Sequence, residues 1–169
     1  MIEHRKKKTV LLMADDDEDD CMLVQDAVRE VFQSEDFRCL CDGQELMSYL
    51  LHQGIYADPE TSPLPDLILL DLNMPRKDGR QALQEIKGHP LLKAIPILIF
   101  STSQEQEEIE LCYKLGANSY LIKPVSFDKL VEIVRCMSNY WFNIASLPPS
   151  AQLCACHVCE DQHPLKCVV

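Results

Sequence analysis

Between residues 9 and about 143, short apolar runs of strand length alternate five times with segments of helical periodicity. Few architectures accept that rhythm. Strands that are each followed by a helix build a parallel sheet with helices on both faces, an α/β doubly wound domain. The strand candidates are residues 9–13, 37–41, 66–71, 95–100 and 120–122. Residues 66–71, Asp-Leu-Ile-Leu-Leu-Asp, form a continuous apolar run closed by an acid, as expected of a strand buried on both faces. Asp19 or Asp20 is placed to cap the first helix, whose apolar members include Leu23, Ala27, Val28 and Val31. Asp42-Gly43 leads into a second helix over residues 44–52, and Asp78-Gly79 opens a third that stops near Gly88-His89-Pro90. A fourth, acidic and amphipathic, covers residues 104–115 and closes at Gly116. Ser126 caps the fifth, which carries Leu130, Val131, Val134, Met137 and Trp141 at helical spacing. Residues 54–65, with Pro59, Pro63 and Pro65, read as a surface excursion.

Charge narrows the function classes. The chain of 169 residues has 27 acids against 16 Lys plus Arg, a net charge of −11, which offers no electrostatic footprint for nucleic acid or an anionic membrane. No apolar run approaches the ~18–20 residues of a membrane span. The basic residues 4–8 precede an apolar stretch too brief for an export signal, so a cytoplasmic protein is expected. Asp15 through Asp20 are six consecutive carboxylates; without them 21 acids face 16 bases. Nine cysteines are present. Cys21, Cys39, Cys41, Cys112 and Cys136 are scattered, and without an export signal they are expected as free thiols rather than a disulfide framework.

In an open α/β sheet, ligands gather outside the carboxyl ends of the strands. The first strand delivers Asp15 and Asp16 to that edge, the third Asp71, the fourth Ser101 and the fifth Lys123. The second delivers only Cys41 and Asp42. Three carboxylates at one edge repel unless a cation sits among them, and oxygen donors select Mg²⁺ or a similar hard ion. A phosphoryl group suits what remains, because Mg²⁺, an ammonium and a hydroxyl together neutralise its oxygens. Singly, each residue has a plainer reading: Asp71 as a turn cap, Asp15 and Asp16 as surface acids, Tyr120 as an edge-strand aromatic. Thr102 and Ser103 stand beside Ser101 as neighbouring hydroxyls.

Four strings, taken together and in order, resemble the receiver domain of two-component response regulators. They are Leu11-Leu12-Met13-Ala14-Asp15-Asp16, then Asp71 through Gly79 (Asp-Leu-Asn-Met-Pro-Arg-Lys-Asp-Gly), then Ile97-Leu98-Ile99-Phe100-Ser101-Thr102-Ser103, and last Gly116 through Pro124. The resemblance implies a flavodoxin-like fold with five helices and strand order 2-1-3-4-5. It implies that Asp71 accepts a phosphoryl group from a phosphohistidine of a sensor histidine kinase. Mg²⁺ would then be held by Asp16, Asp71 and the backbone carbonyl of Asn73, with Asp15 acting through water. Lys123 would pair with the acyl phosphate, Ser101 would swing onto the phosphoryl group, and Tyr120 would rotate inward behind it. A cis peptide bond before Pro124 is also implied. Asp17 through Asp20 lie outside the family's acidic pair and are expected to be a solvated helix start.

A narrower resemblance comes from the proline-rich loop before Asp66, the string Asn73 through Arg80, and Tyr140-Trp141-Phe142 followed by Leu147-Pro148. It is to the single-domain regulators that partner phytochromes, in which no DNA-binding domain is attached. It implies a sensor kinase of the bacteriophytochrome kind as partner and a homodimer through the fourth helix, fifth strand and fifth helix, with no nucleic acid and no membrane. Residues 1–8 read as a basic segment, 9–147 as the receiver, and 148–169 as a flexible tail rich in cysteine. Cys156-His157-Val158-Cys159 there is one CxxC, whereas structural zinc sites use two ligand pairs. A phosphorylation-free pseudo-receiver, acting as an interaction module, would lack the acceptor, an acid or the lysine; all are present. An aspartate-nucleophile enzyme would want a second acid two residues after Asp71, where Asn73 stands. The chain is therefore expected to be a signalling phosphoacceptor and not an enzyme.

Overall fold

Parallel pairing runs through a five-stranded sheet in the order β2-β1-β3-β4-β5. It is seen in a computed structural model that describes residues 9–32 and 36–148. The strands are β1 (Val10–Ala14), β2 (Asp36–Leu40), β3 (Leu67–Leu70), β4 (Ile97–Ser101) and β5 (Ser119–Ile122). The helices between and after them are α1 (Glu18–Val31), α2 (Gly43–Leu50), α3 (Gly79–Gly88), α4 (Gln106–Lys114) and α5 (Phe127–Ser138). A 3₁₀ turn, Gly54–Tyr56, interrupts the proline-rich loop, and a π-helical turn, Asn139–Ile144, extends α5.

The central strands β1, β3 and β4 are buried on both faces, which is why their sequences are unbroken apolar runs. Side chains alternate across the sheet. Leu12 and Ala14 of β1 enter a core with Leu46 and Leu50 of α2 and Leu83 and Ile86 of α3. Leu11 and Met13 enter the opposite core with Val24 and Val28 of α1 and Val131 and Val134 of α5. The chain leaves β1 for β2 on one side and returns to β3 on the other, so the crevice between the loops after β1 and β3 is the topological switch point.

Helix ends follow local chemistry, with one revision. Asp78 caps α3 through a reciprocal box with Gln81, and Ser126 caps α5. Gly116 follows α4 at φ +101°, a left-handed conformation that glycine adopts without a Cβ penalty. The cap of α1 is Asp17, not Asp19 or Asp20. Its backbone is extended, and its Oδ1 accepts from the amides of Asp19 (2.9 Å) and Asp20 (3.3 Å), so those two already lie inside the helix. The buried stripe of α1 is Val24, Ala27 and Val28, while Leu23 faces solvent.

Two further expectations are corrected. Cys21 and Cys39 are joined as a disulfide rather than left as separate thiols. The β1–β2 register sets Cys39 beside Met13, and α1 packs over that same face, so residues 18 apart in sequence meet. Cys41, Cys112 and Cys136 are free. No peptide bond among the described residues is cis, so the bond before Pro124 is trans, the isomer ordinary X–Pro bonds favour. The backbone there continues the sheet, with the Lys123 amide donating to the Ser101 carbonyl at 2.9 Å. The cysteine-rich segment 149–169 and the basic segment 1–8 lie outside the described residues. No helix among the described residues is long and apolar enough to cross a membrane.

The Asp17 cap is open to test. Asp17→Ala removes the acceptor for two helix amides and is expected to cost about 1 kcal/mol. Asp19→Ala, which removes no cap, leaves the urea midpoint close to that of the unaltered protein.

Candidate phosphoryl and metal site

Asp15, Asp71 and Lys123 each sit one step past a strand, on a backbone that prolongs the ladder, while Asp16 follows Asp15 and Ser101 is the last residue of β4. The Asp15 amide donates to the Leu40 carbonyl (2.9 Å), and the Asp71 amide to the Ala14 carbonyl (2.9 Å). Together with the Lys123–Ser101 bond, these rungs hold the ends of β1, β3 and β5 in register, so the side chains converge by topology. Carboxylate oxygens of Asp15, Asp16 and Asp71 all lie within 4.8 Å of one another. Asp15 and Asp71 are buried, while Asp16 is exposed toward solvent.

Lys123 is the cation set among them. Its Nζ lies 2.7 Å from Asp15 Oδ2, 2.7 Å from Asp20 Oδ2 and 3.5 Å from Asp71 Oδ1. The Phe100 ring lies beside it, its centroid 5.9 Å from the ammonium. Burial alone would lower the pKa of Lys123, but hydrogen bonds to Asp15 and Asp20 outweigh that and raise it, so it stays charged. Asp15 is pushed up to about 6, because burial penalises its charge more than Lys123 and the Asp17 amide favour it. The donor set is oxygen only, clustered and anionic, and so fits a hard divalent cation.

The loop after β3 is held close beneath the site. Asp71 Oδ2 accepts from the Asn73 amide at 3.0 Å. Gly79 packs so tightly under Asp71 that a Cβ there would lie 2.0 Å from the Asp71 carbonyl oxygen, which leaves glycine as the residue that fits. Arg76, in a left-handed conformation at φ 63°, pairs with the buried Asp42 that caps α2. The Gly43 amide donates to the Lys77 carbonyl at 3.1 Å. The β2 end, which delivers no candidate reactive group, thus braces the loop that carries Asp71.

Ser101 ends β4 fully buried, its Oγ accepting from the Ser103 amide at 3.3 Å. Thr102 beside it is exposed. Tyr120, paired with Ile99 across the β4–β5 ladder, packs partly buried against the first core. Its hydroxyl donates to the Ser103 carbonyl (3.1 Å) and to Glu108 of α4 (3.4 Å).

The model of the "Response regulator receiver domain" matches residues 11–135. The chain belongs to that family. This receiver is 39% identical over 126 residues to response regulator Rcp1 of Synechocystis, covering 75% of this chain and 84% of the relative. In structure it is similar to the phosphorylated cyanobacterial phytochrome response regulator RcpA (TM-score 0.78, 37% identity, 84% of this chain and 99% of the other). It is likewise similar to a response regulator in red light signaling of R. palustris (TM-score 0.79, 32% identity, 83% and 99%). The Mn²⁺-bound form of Rcp1 matches with TM-score 0.75 at 38% identity, over 83% and 99%. Within the family, the receiver therefore resembles the single-domain regulators associated with phytochromes.

Asp15, Asp16, Asp71 and Lys123 meet as the strand ends require, and Asn73 adjoins Asp71. Asp20 is the residue sequence reasoning missed: instead of belonging to a solvated run, it bonds the site's lysine. No spacing within the acidic run signals this, because Asp16 lies before the Asp17 cap and outside the helix that carries Asp20. The raised pKa of Asp15 sets a pH dependence. Above about 6 the free receiver offers an ionised Asp15. Below it a proton must leave before a divalent cation binds, so affinity falls with pH, approaching about tenfold per unit. Mg²⁺ titrations between pH 5 and 8 check this, and Asp15→Asn flattens the profile.

Proposed function

We propose that this receiver accepts a phosphoryl group from a sensor histidine kinase onto Asp71 and signals through a change in conformation and self-association. The observation that carries this reading is the cluster itself: three carboxylates within 4.8 Å of one another, with an ammonium 3.5 Å from Asp71. An Asp71 oxygen attacks phosphorus, and the phosphorus–nitrogen bond to the donor histidine breaks. The bonding pair stays on the imidazole, which takes up a proton, and an acyl phosphate remains. Asp16, Asp71 and the Asn73 carbonyl, with Asp15 through water, would hold Mg²⁺, which supplies neutralising charge to the phosphoryl oxygens when bound. Lys123 pairs with those oxygens on the other side. Ser101 donates its hydroxyl to the acyl phosphate, and Tyr120 follows it inward, leaving its contact with the Ser103 carbonyl.

The output surface in this reading is the face of α4, β5 and α5, used for a homodimer. Of the α4 side chains only that of Cys112 is buried, while Leu111 and Tyr113 are exposed; Ile122 and Phe127 add apolar area along the same side. Trp141 and Phe142, by contrast, pack against the second core. The likeness to RcpA and Rcp1 supports a sensor kinase of the phytochrome kind as the donor and a cytoplasmic setting.

Two measurements decide the matter. Incubation with acetyl phosphate and Mg²⁺ is expected to add one phosphoryl group to the intact mass, and Asp71→Asn to abolish it. No adduct, or one that survives the substitution, would leave an interaction module instead. Sedimentation equilibrium with and without beryllofluoride is expected to show stronger self-association in its presence, weakened by Tyr113→Glu. A strict monomer in both states overturns the dimer.

A further inference from the structure

Lys123 Nζ is held at 2.7 Å by two carboxylates, and only one of them, Asp15, belongs to the acid cluster. The other, Asp20, lies in the first turn of α1. We propose that Asp20 is a positioning residue of the receiver: its carboxylate holds the Lys123 ammonium toward α1, away from Asp71, until a phosphoryl group draws it across. The inference rests on the phosphoacceptor reading of Asp71 and adds a residue to it.

The geometry gives Asp20 little room to retreat. Asp17 caps the helix by accepting from the Asp20 amide itself, at 3.3 Å. The next residue, Cys21, is tied to β2 through Cys39, and its Sγ lies 3.8 Å from the Asp15 carbonyl oxygen. The turn that carries Asp20 is thus fixed to β2 and to the end of β1, the strand that delivers Asp15 and Asp16. Lys123 is correspondingly confined, its side chain 11% exposed against 33% for Asp20. The ammonium rests between α1 and β1, with Asp71 at 3.5 Å as its most distant acid partner.

A ligand shifts a conformational equilibrium only by its differential interaction with the two states. A phosphoryl group on Asp71 brings nearly two negative charges. To meet them, Lys123 must give up a short contact. The acid cluster that includes Asp15 would have its charge neutralised by a divalent cation held there, so Asp20 is the competitor that remains. Its pull favours the resting position of the lysine and opposes uptake of a phosphoryl group.

The test uses the full chain with Mg²⁺ and beryllofluoride as the phosphoryl mimic, comparing Asp20→Asn with Asp19→Asn. Both substitutions remove one charge from the same helical turn, but Asp19 makes no contact with Lys123 among the described residues. Asp20→Asn is expected to bind beryllofluoride about fivefold more tightly, the scale of a partly exposed ion pair. Asp19→Asn should stay within about twofold of the unaltered protein, as expected of an exposed charge acting at a distance. The Lys123 ammonium signal, followed by ¹⁵N NMR without metal, should exchange with water faster in Asp20→Asn only, and Asp20→Ala serves as a second variant. Equal affinities for the Asp20 and Asp19 variants, or unchanged Lys123 exchange, overturn the proposal while leaving the phosphoacceptor reading in place. If the unaltered receiver takes up neither beryllofluoride nor a phosphoryl group, the phosphoacceptor reading fails, and the role of Asp20 falls with it.

Discussion

Lys123 carries the electrostatic balance of the carboxyl edge. Three acid side chains converge there because parallel strands place all their C-terminal ends on one side, and convergence of like charge costs energy. In the described structure an ammonium answers it, 2.7 Å from Asp15 and 3.5 Å from Asp71. That answer is partial: Asp15 still has its pKa pushed up to about 6 by burial. An edge short of positive charge is an edge that gains by binding a cation, and the same ammonium is then available to an anion beside Asp71. The rest of the architecture serves to keep these groups from relaxing apart. The ladder rungs beyond β1, β3 and β5 fix the backbone of Asp15, Asp71 and Lys123. Gly79 and the Arg76–Asp42 pair then press the loop after β3 into place.

Much of this was legible in the residues. Buried parallel strands must be apolar throughout, so β1, β3 and β4 stand out, and a strand-end rule applied to them finds Asp15, Asp16, Asp71 and Ser101; applied to the shorter β5, it finds Lys123. What escaped were contacts that depend on register between elements distant in sequence. The Cys21–Cys39 bridge requires that α1 cross the face of β2, and no spacing within either segment reveals it. The Asp17 cap escaped for a different reason. In a run of six acids, residue type cannot say which one turns extended, and only the amide pattern of Asp19 and Asp20 distinguishes it. Asp20 was hidden by that same run. Its neighbours are solvated, and the partner that sets it apart lies 103 residues away.

Helix α4 differs from the other four in how it is held. Its second half exposes Leu111 and Tyr113, and Cys112 is its sole buried side chain. In place of an apolar face it relies on polar ties: Glu108 pairs with Arg80 of α3 and accepts from the Tyr120 hydroxyl. Elements with few buried apolar contacts open at lower free energy than the core they rest on. Tyr120 also donates to the Ser103 carbonyl, two residues past the hydroxyl that ends β4. Ser101, Ser103, Tyr120 and Glu108 thus form a hydrogen-bonded path from the end of β4 to α4. The strands and the remaining helices are packed to stay put, and α4 is attached by bonds that can be exchanged for others. In the proposed phosphoacceptor reading, that difference in attachment makes α4 the element on which a charge at Asp71 is read.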